Sequence, residues 1–228
     1  MIDTLLNIIA PHVCVVCGAE GDLLCHDCGK KCISNDTTCF FCDIPVNKGE
    51  ICEVCKSNYK LTQLTSVGWY DSDLKRAVYA YKFDGKRGGA KPLARLLVSV
   101  ASIQVDAVVG YIPTTAVHIR ERGFDHAKLL AQTFAAQMSL PCIATLARTN
   151  NHRQLGSSKK VRQSTIAGTF VPVHAGMYKN KHVVIIEDVI TTGSTLREAA
   201  QVLLTAGANS VSALVLAKTP ARGARPNA

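Results

Sequence analysis

The chain has 228 residues, 47% of them hydrophobic, which suffices for one sizeable core and a small appendage. It holds no run of about 18 apolar residues able to span a bilayer, and its opening MIDTLLNIIAPHV lacks the positive flank and small-residue cleavage site of a secretory signal. Stable membrane insertion is therefore not expected, and a soluble, cytoplasmic protein is. The net charge of +9 is uneven, because residues 1–60 carry five Lys against eight acids while residues 61–228 carry 21 Lys or Arg against nine. Such a basic C-terminal part suits a polyanion, either a phosphorylated small molecule or nucleic acid.

In chain order, the apolar Leu5–Ile9 stretch is expected to pack against the rest of the chain. Nine of the ten cysteines then fall between residues 14 and 55. Eight form four Cys-x2-Cys pairs: Cys14 with Cys17, Cys25 with Cys28, Cys39 with Cys42 and Cys52 with Cys55; Cys32 is left over. Each pair suits a knuckle that aims two thiolates at one ion, and two knuckles complete a tetrahedral site. Four knuckles thus imply two structural zinc ions. A disulfide framework or an iron–sulfur centre is a weaker match to repeated pairs in a chain without an export signal. Sequential pairing of the knuckles gives two short zinc ribbons, and interleaved pairing fits the spacing equally well. Some 60 residues with few large apolar groups need the metal for stability. The closed ligand sets make the module structural or recognitional.

From residue 61 strand and helix patterns alternate. A β-rich run, SVGWY (66–70), meets Asp71 as an N-cap and then LKRAVYAYKF, in which Leu74, Val78 and Tyr81 share a face. Gly85, Gly88 and Gly89 end that helix, and after Pro92 comes a second, LARLLVSVASI. VDAVVGYIP (105–113) reads as a buried parallel strand, FDHAKLLAQTFAAQM (124–138) as a helix and CIATLA (142–147) as a further strand. RTNNHRQLGSSKKVRQSTIAG is basic and aperiodic, the pattern of a disordered connection or a functional lid. KHVVIIED, a helix over 195–206 stopped by Gly207, and SVSALVLA complete the series, before a frayed tail. The expected organisation is a cysteine module over 1–60, an α/β domain over 61–220 with a parallel sheet and helices on both faces, and a flexible tail over 221–228.

In such sheets ligands bind beyond the carboxyl ends of the strands. VVIIED delivers Glu187 and Asp188 to that edge, and VITTGST runs from it into a helix N-terminus. Backbone N–H groups there would hold a phosphate, with Gly193 allowing close approach and Thr191, Thr192, Ser194 and Thr195 adding hydroxyls without bulk. Neither G-x4-G-K-[ST] nor G-x-G-x-x-G occurs, which excludes a P-loop and weakens a dinucleotide site. A ribose 5-phosphate fits: its vicinal hydroxyls would meet the two carboxylates.

The run of four aliphatic residues, E-D-x3-T-G-x-T, resembles the phosphoribosyl diphosphate (PRPP) motif of type I phosphoribosyltransferases. That resemblance implies contacts from Glu187 and Asp188 to the ribose 2′ and 3′ hydroxyls and from residues 191–195 to the 5′-phosphate. The cysteine pairs, then YKF-G-R (Tyr81, Lys82, Phe83, Gly85, Arg87), IP with R-x-RGF (Ile112, Pro113, Arg120, Arg122, Gly123, Phe124) and Gln154-Leu155, are similar in order to the ComF family, which includes ComFC and GntX-like proteins. The implied fold is α/β, a type I phosphoribosyltransferase-like parallel sheet with helices on both faces, plus a small N-terminal zinc-ribbon module. The implied activity is pentosyl transfer from PRPP with magnesium, in the setting of DNA uptake and natural transformation.

By the same resemblance, the loop from Pro113 to Gly123, with Arg120 and Arg122, would hold diphosphate, Lys82 would approach from the side, and Gln154, Lys159, Lys160 and Arg162 would close over the ligand. Glu187, Asp188 and Arg122 are the expected catalytic residues. The partners implied are PRPP, single-stranded DNA and a competence helicase or DNA-processing protein. A non-catalytic DNA-handling factor and a PRPP sensor share these features. RGFDH stands where the family usually reads RGFNQ, and Thr165 stands where the lid often carries Asn. His126 is expected to be a surface-polar residue at a helix start, with a functional acid or base as the alternative.

Overall fold

The computed structural model describes residues 12–103, 106–149 and 168–219. Gln154, Lys159, Lys160, Arg162, Thr165, the Leu5–Ile9 stretch and the expected tail lie outside the described residues. The N-terminal part begins with a small antiparallel pair, β1 (His12–Val13) and β2 (Glu20–Gly21), followed by α1 (His26–Lys31) and α2 (Glu53–Tyr59). Each of these helices starts one residue after a cysteine, Cys25 or Cys52, which occupies the N-cap.

Four parallel strands form the main sheet: β3 (Gln63–Trp69), β4 (Val108–Tyr111), β7 (His182–Ile190) and β8 (Ser210–Lys218), in the order β3-β8-β7-β4. The centre of β7, Val183 to Ile186, is buried on both sides, as an unbroken aliphatic run requires once helices cover both faces. On one face α3 (Ser72–Phe83), α4 (Ala90–Val100) and α6 (His126–Met138) pack over Val109, Val184, Ile186 and Leu216. On the other, α8 (Ser194–Thr205) covers Val183, Ile185, Val211 and Val215. The α/β parallel sheet with helices on both faces expected from the sequence is the one observed.

The two cysteine loops join these cores from opposite sides. Leu23, Leu24 and Cys28 sit in the cluster beneath α4, whereas Cys39, Ile51, Cys55 and Leu61 sit in the cluster beneath α8. The chain thus straddles the β3 edge, and the segment between the loops is pinned there by an ion pair from the buried Lys218 Nζ to the half-buried Asp36 Oδ2 at 2.5 Å.

Several local expectations are corrected. Asp71 stands at the N-cap of α3 without a side-chain capping bond. A 3-10 turn, Arg87–Gly89, feeds directly into α4, so Pro92 lies inside the first turn of that helix, where its missing N–H has no intrahelical acceptor to lose. CIATLA does not join the main sheet as a strand. It meets Val109 through a parallel bridge at Cys142, and its last two residues begin β5 (Leu146–Arg148), antiparallel to β6 (Phe170–Pro172). The expected diphosphate loop contains a helix, α5 (Ala116–Arg122), capped by the Thr115 hydroxyl. A short α7 (Ala175–Tyr178) precedes β7.

Candidate functional site

β4 ends at Tyr111, opposite Ile186 of β7, whereas β7 runs on to Ile190. Beyond that point β7 has lost its neighbour on one side, and a cleft of about 250 Å³ opens between the two strand ends. Lys82, Pro113, Thr114, Arg122, His126, Arg148, Glu187 and Asp188 are among the residues lining it. Of the residues expected at the site, Lys82, Pro113, Arg122, Glu187 and Asp188 therefore converge on one cavity. Arg120 is exposed on α5 and absent from the lining.

Asp188 is the electrostatic centre. It is 7% exposed and accepts from Lys82 Nζ at 2.9 Å and from His126 Nε2 at 2.6 Å. Burial opposes its ionisation, but the His126 hydrogen bond and the Lys82 charge outweigh burial and pull its pKa down to about 2. Glu187 goes the other way: burial, then the Asp188 charge beside it, push its pKa up to about 8 against Lys82 and Arg148. The two adjacent carboxylates thus shift in opposite directions, Asp188 downward as an ion-paired acceptor and Glu187 upward.

His126 corrects the sequence-based expectation. It is 6% exposed, and Arg122 Nη1 lies 3.0 Å from its Nδ1. Because a guanidinium can only donate, Nδ1 accepts and Nε2–H donates to Asp188. The Thr114 hydroxyl donates to Asp125 Oδ1 at 2.8 Å, and that carboxylate also caps α6 through the Lys128 N–H. Asp125 and His126 thereby tie the start of α6 to the loop after β4 and to the strand-end acid. Arg122 and His126 are four residues apart, but the αL turn at Gly123 separates their helices, so no helical period signals the contact. Arg148 is a further cleft residue that sequence reasoning missed; its Nε donates to the Pro113 carbonyl at 2.6 Å.

The TTGST loop follows β7 directly and is not part of the cleft lining. Thr191, Thr192 and Ser194 are exposed and Thr195 is half-buried. Ser194 N–H donates to Thr192 Oγ1 at 3.4 Å, and the two hydroxyls are 3.0 Å apart. Gly193, at φ 73°, is the N-cap of α8 and supplies no side-chain cap, which leaves first-turn N–H groups available to an anion. The close approach that requires glycine here comes from the second cysteine loop: a Cβ at this position would stand 2.4 Å from Phe41 Cε1 and 3.2 Å from Tyr59 Cε1. Phe41 and Tyr59 stack at 3.5 Å with an interplanar angle of 12°.

The eight paired cysteines form two tetrads, Cys14, Cys17, Cys25 and Cys28, and Cys39, Cys42, Cys52 and Cys55. The pairing is sequential. Tetrahedral zinc with bonds of about 2.3 Å requires sulfur separations of about 3.8 Å. The observed values include 3.7 Å for Cys17 to Cys25, 3.5 Å for Cys42 to Cys52 and 3.6 Å for Cys42 to Cys55. Backbone N–H groups of Cys25 and Cys52 point at the sulfurs of Cys14 and Cys39, at 3.4 and 3.5 Å, which favours thiolates. Donor set and spacing both fit zinc.

The chain belongs to the phosphoribosyl transferase domain family, whose model matches residues 94–228. Three relatives match most of the chain. It is 27% identical over 207 residues to Competence protein F of Haemophilus influenzae, covering 86% of this chain and 90% of that protein. It is 27% identical over 229 residues to DNA utilization protein YhgH of Escherichia coli O157:H7, covering 92% and 98%. It is 28% identical over 211 residues to Competence protein ComFC of Bacillus subtilis, covering 86% and 84%. The resemblance to the ComF family is borne out.

Proposed function

We propose that this chain binds PRPP, with magnesium, across the strand-end cleft and the TTGST loop, as a cytoplasmic phosphoribosyltransferase-like component of DNA uptake. The observation that carries the reading is the adjacency of Glu187 and Asp188 to an uncapped helix start rich in small hydroxyls, within a chain of this family. The carboxylates are suited to ribose hydroxyls, and residues 191–195 to the 5′-phosphate. Lys82, Arg122 and Pro113 surround the space suited to diphosphate, with Gln154 and Arg162 assigned to the same ligand from sequence alone. Arg120, being exposed, is assigned to the outer diphosphate oxygens.

Loss of diphosphate from the ribose builds positive charge on the sugar and negative charge on the leaving group. Lys82 and Arg122 would stabilise the second, while Asp188, held ionised, would face the first. Magnesium supplies charge neutralisation on the diphosphate. Because Asp188 is already engaged by Lys82 and His126, the ion would arrive with the ligand, with Glu187 as the remaining protein oxygen donor. Each cysteine tetrad is assigned one structural zinc.

Calorimetric titration with PRPP and magnesium tests the site: Glu187→Ala combined with Asp188→Ala should abolish binding while circular dichroism stays native. Unchanged affinity would refute the assignment. Release of diphosphate with a panel of bases as acceptors separates a transferase from a PRPP sensor. A DNA-handling role is favoured by two observations, the basic balance of residues 61–228 and relatives named for DNA utilization and competence. Single-stranded DNA, and a competence helicase or DNA-processing protein, are the corresponding partners. No helix among the described residues is long and apolar enough to cross a membrane.

A further inference from the structure

Helix α3 turns an aromatic and basic face to solvent. Its inner side, Leu74, Ala77, Val78 and Tyr81, is buried, and its outer side presents Lys75, Arg76, Tyr79 and Phe83. Tyr79 and Phe83 are 53% and 51% exposed and one turn apart, with ring centroids separated by 4.9 Å at a tilt of 41°. Two adjoining exposed rings leave apolar area in water that folding alone does not explain.

Cations flank Phe83 and the neighbouring Tyr70. Lys82 Nζ lies 6.0 Å and the Arg122 guanidinium 4.8 Å from the Phe83 centroid, and Lys75 Nζ lies 6.0 Å from the Tyr70 centroid. Between Asp71 and Arg87, five Lys or Arg stand against three Asp. Lys82 and Arg122 also line the cleft, so the face continues into the cleft mouth at Phe83.

We infer that this face of α3 is a docking surface for single-stranded DNA, with bases stacked on Tyr79 and Phe83 and phosphates on the neighbouring cations. The inference deepens the DNA-handling reading and rests on it. A single strand offers an anionic backbone and unpaired π faces together. A free phosphate would leave the rings bare, an apolar protein segment would leave the cations without counter-charge, and a duplex keeps its bases stacked on one another.

The test is anisotropy of a labelled oligothymidylate of roughly 20 nucleotides, with titration of salt. Wild-type protein should bind at low salt, and Tyr79→Ala with Phe83→Ala should weaken binding about ten-fold or more. Tyr79→Trp with Phe83→Trp should retain it, and Lys75→Gln with Arg76→Gln should flatten the logarithmic salt slope by about 1.4. Both rings are exposed, so the variants should keep native circular dichroism and zinc content. Wild-type binding that the alanine variant leaves unchanged would overturn the surface while the DNA-handling reading stands. Equal affinity for duplex would overturn stacking. An absence of any wild-type binding at low salt would remove the DNA-handling reading and this surface with it.

Discussion

Gly193→Ala is the most informative single substitution, because one methyl group probes the junction between the TTGST loop and the second cysteine loop. Alanine at φ 73° costs about 1–2 kcal/mol for the left-handed conformation. Its Cβ would also stand 2.4 Å from Phe41 Cε1, against an ordinary carbon contact of about 3.5–4.0 Å, so the ring must retreat by about 1 Å or more. Phe41 is stacked on Tyr59 and flanked by Cys39 and Cys42, which share a tetrad, so the retreat cannot be absorbed by a free side-chain end. Overpacking of this kind costs about 1–3 kcal/mol, for a total of about 2–5 kcal/mol. Urea unfolding followed by the fluorescence of the single tryptophan, Trp69, measures it. In a Phe41→Ala background the steric part should vanish, leaving about 1–2 kcal/mol of backbone strain. An equal cost in both backgrounds would refute the proposed contact between ring and loop.

The Glu187 carboxyl, ordinarily titrating at 4.5 and raised to about 8, gives the folded chain a proton that the unfolded chain lacks between those values. Its stabilising contribution is complete below pH 4.5 and is lost as pH rises towards 8, by at most about 1.4 kcal/mol per pH unit; Glu187→Gln should remove that slope, and a slope unchanged in the variant would contradict the shift. Asp188 has the opposite sign, since its lowered pKa stabilises the fold above about 3.8 and the benefit disappears as pH falls towards 2; acid unfolding of Asp188→Asn should therefore be less steep over that range. Asp36→Ala leaves the Lys218 ammonium, 4% exposed, without its carboxylate partner and should cost about 3–5 kcal/mol in chemical denaturation. A loss below about 1 kcal/mol would show that the ion pair is solvated.

The parts of the fold that carry a strong period were readable from the chain. The aliphatic run of β7 and the three-and-four spacing of α6 each announce a buried surface, and both elements are where that pattern puts them. The parts that escaped lack a local signal. Helix α5 buries no residue, so it has no apolar stripe to read. The β5–β6 pairing joins Arg148 to Phe170, a contact whose partner is remote in sequence. His126 looked like a polar helix start because its acid partner lies in a strand far along the chain; only the packing of α6 against β7 brings Nε2 to Asp188. Gly193 was expected to admit a phosphate; the close approach seen there is that of an aromatic ring of the N-terminal part.

That last contact changes how the cysteine tetrads relate to the cleft. Cys39 and Cys55 are buried in the core cluster beneath α8, and Phe41 and Tyr59, carried on the same loop and on α2, press on the N-cap of that helix. A metal in the second tetrad would therefore hold two rings against the residue that shapes the TTGST loop. Removing it would free the loop from that restraint, and under the proposed function the cost of re-forming a phosphate cradle would then fall on the ligand. Chelation should weaken PRPP binding before the main sheet unfolds, and Phe41→Ala should weaken it with zinc still bound, as checked by metal analysis and calorimetry on the same samples. If PRPP affinity survives chelation unchanged, the rings are packing alone and the loop is shaped by β7 and α8 without them.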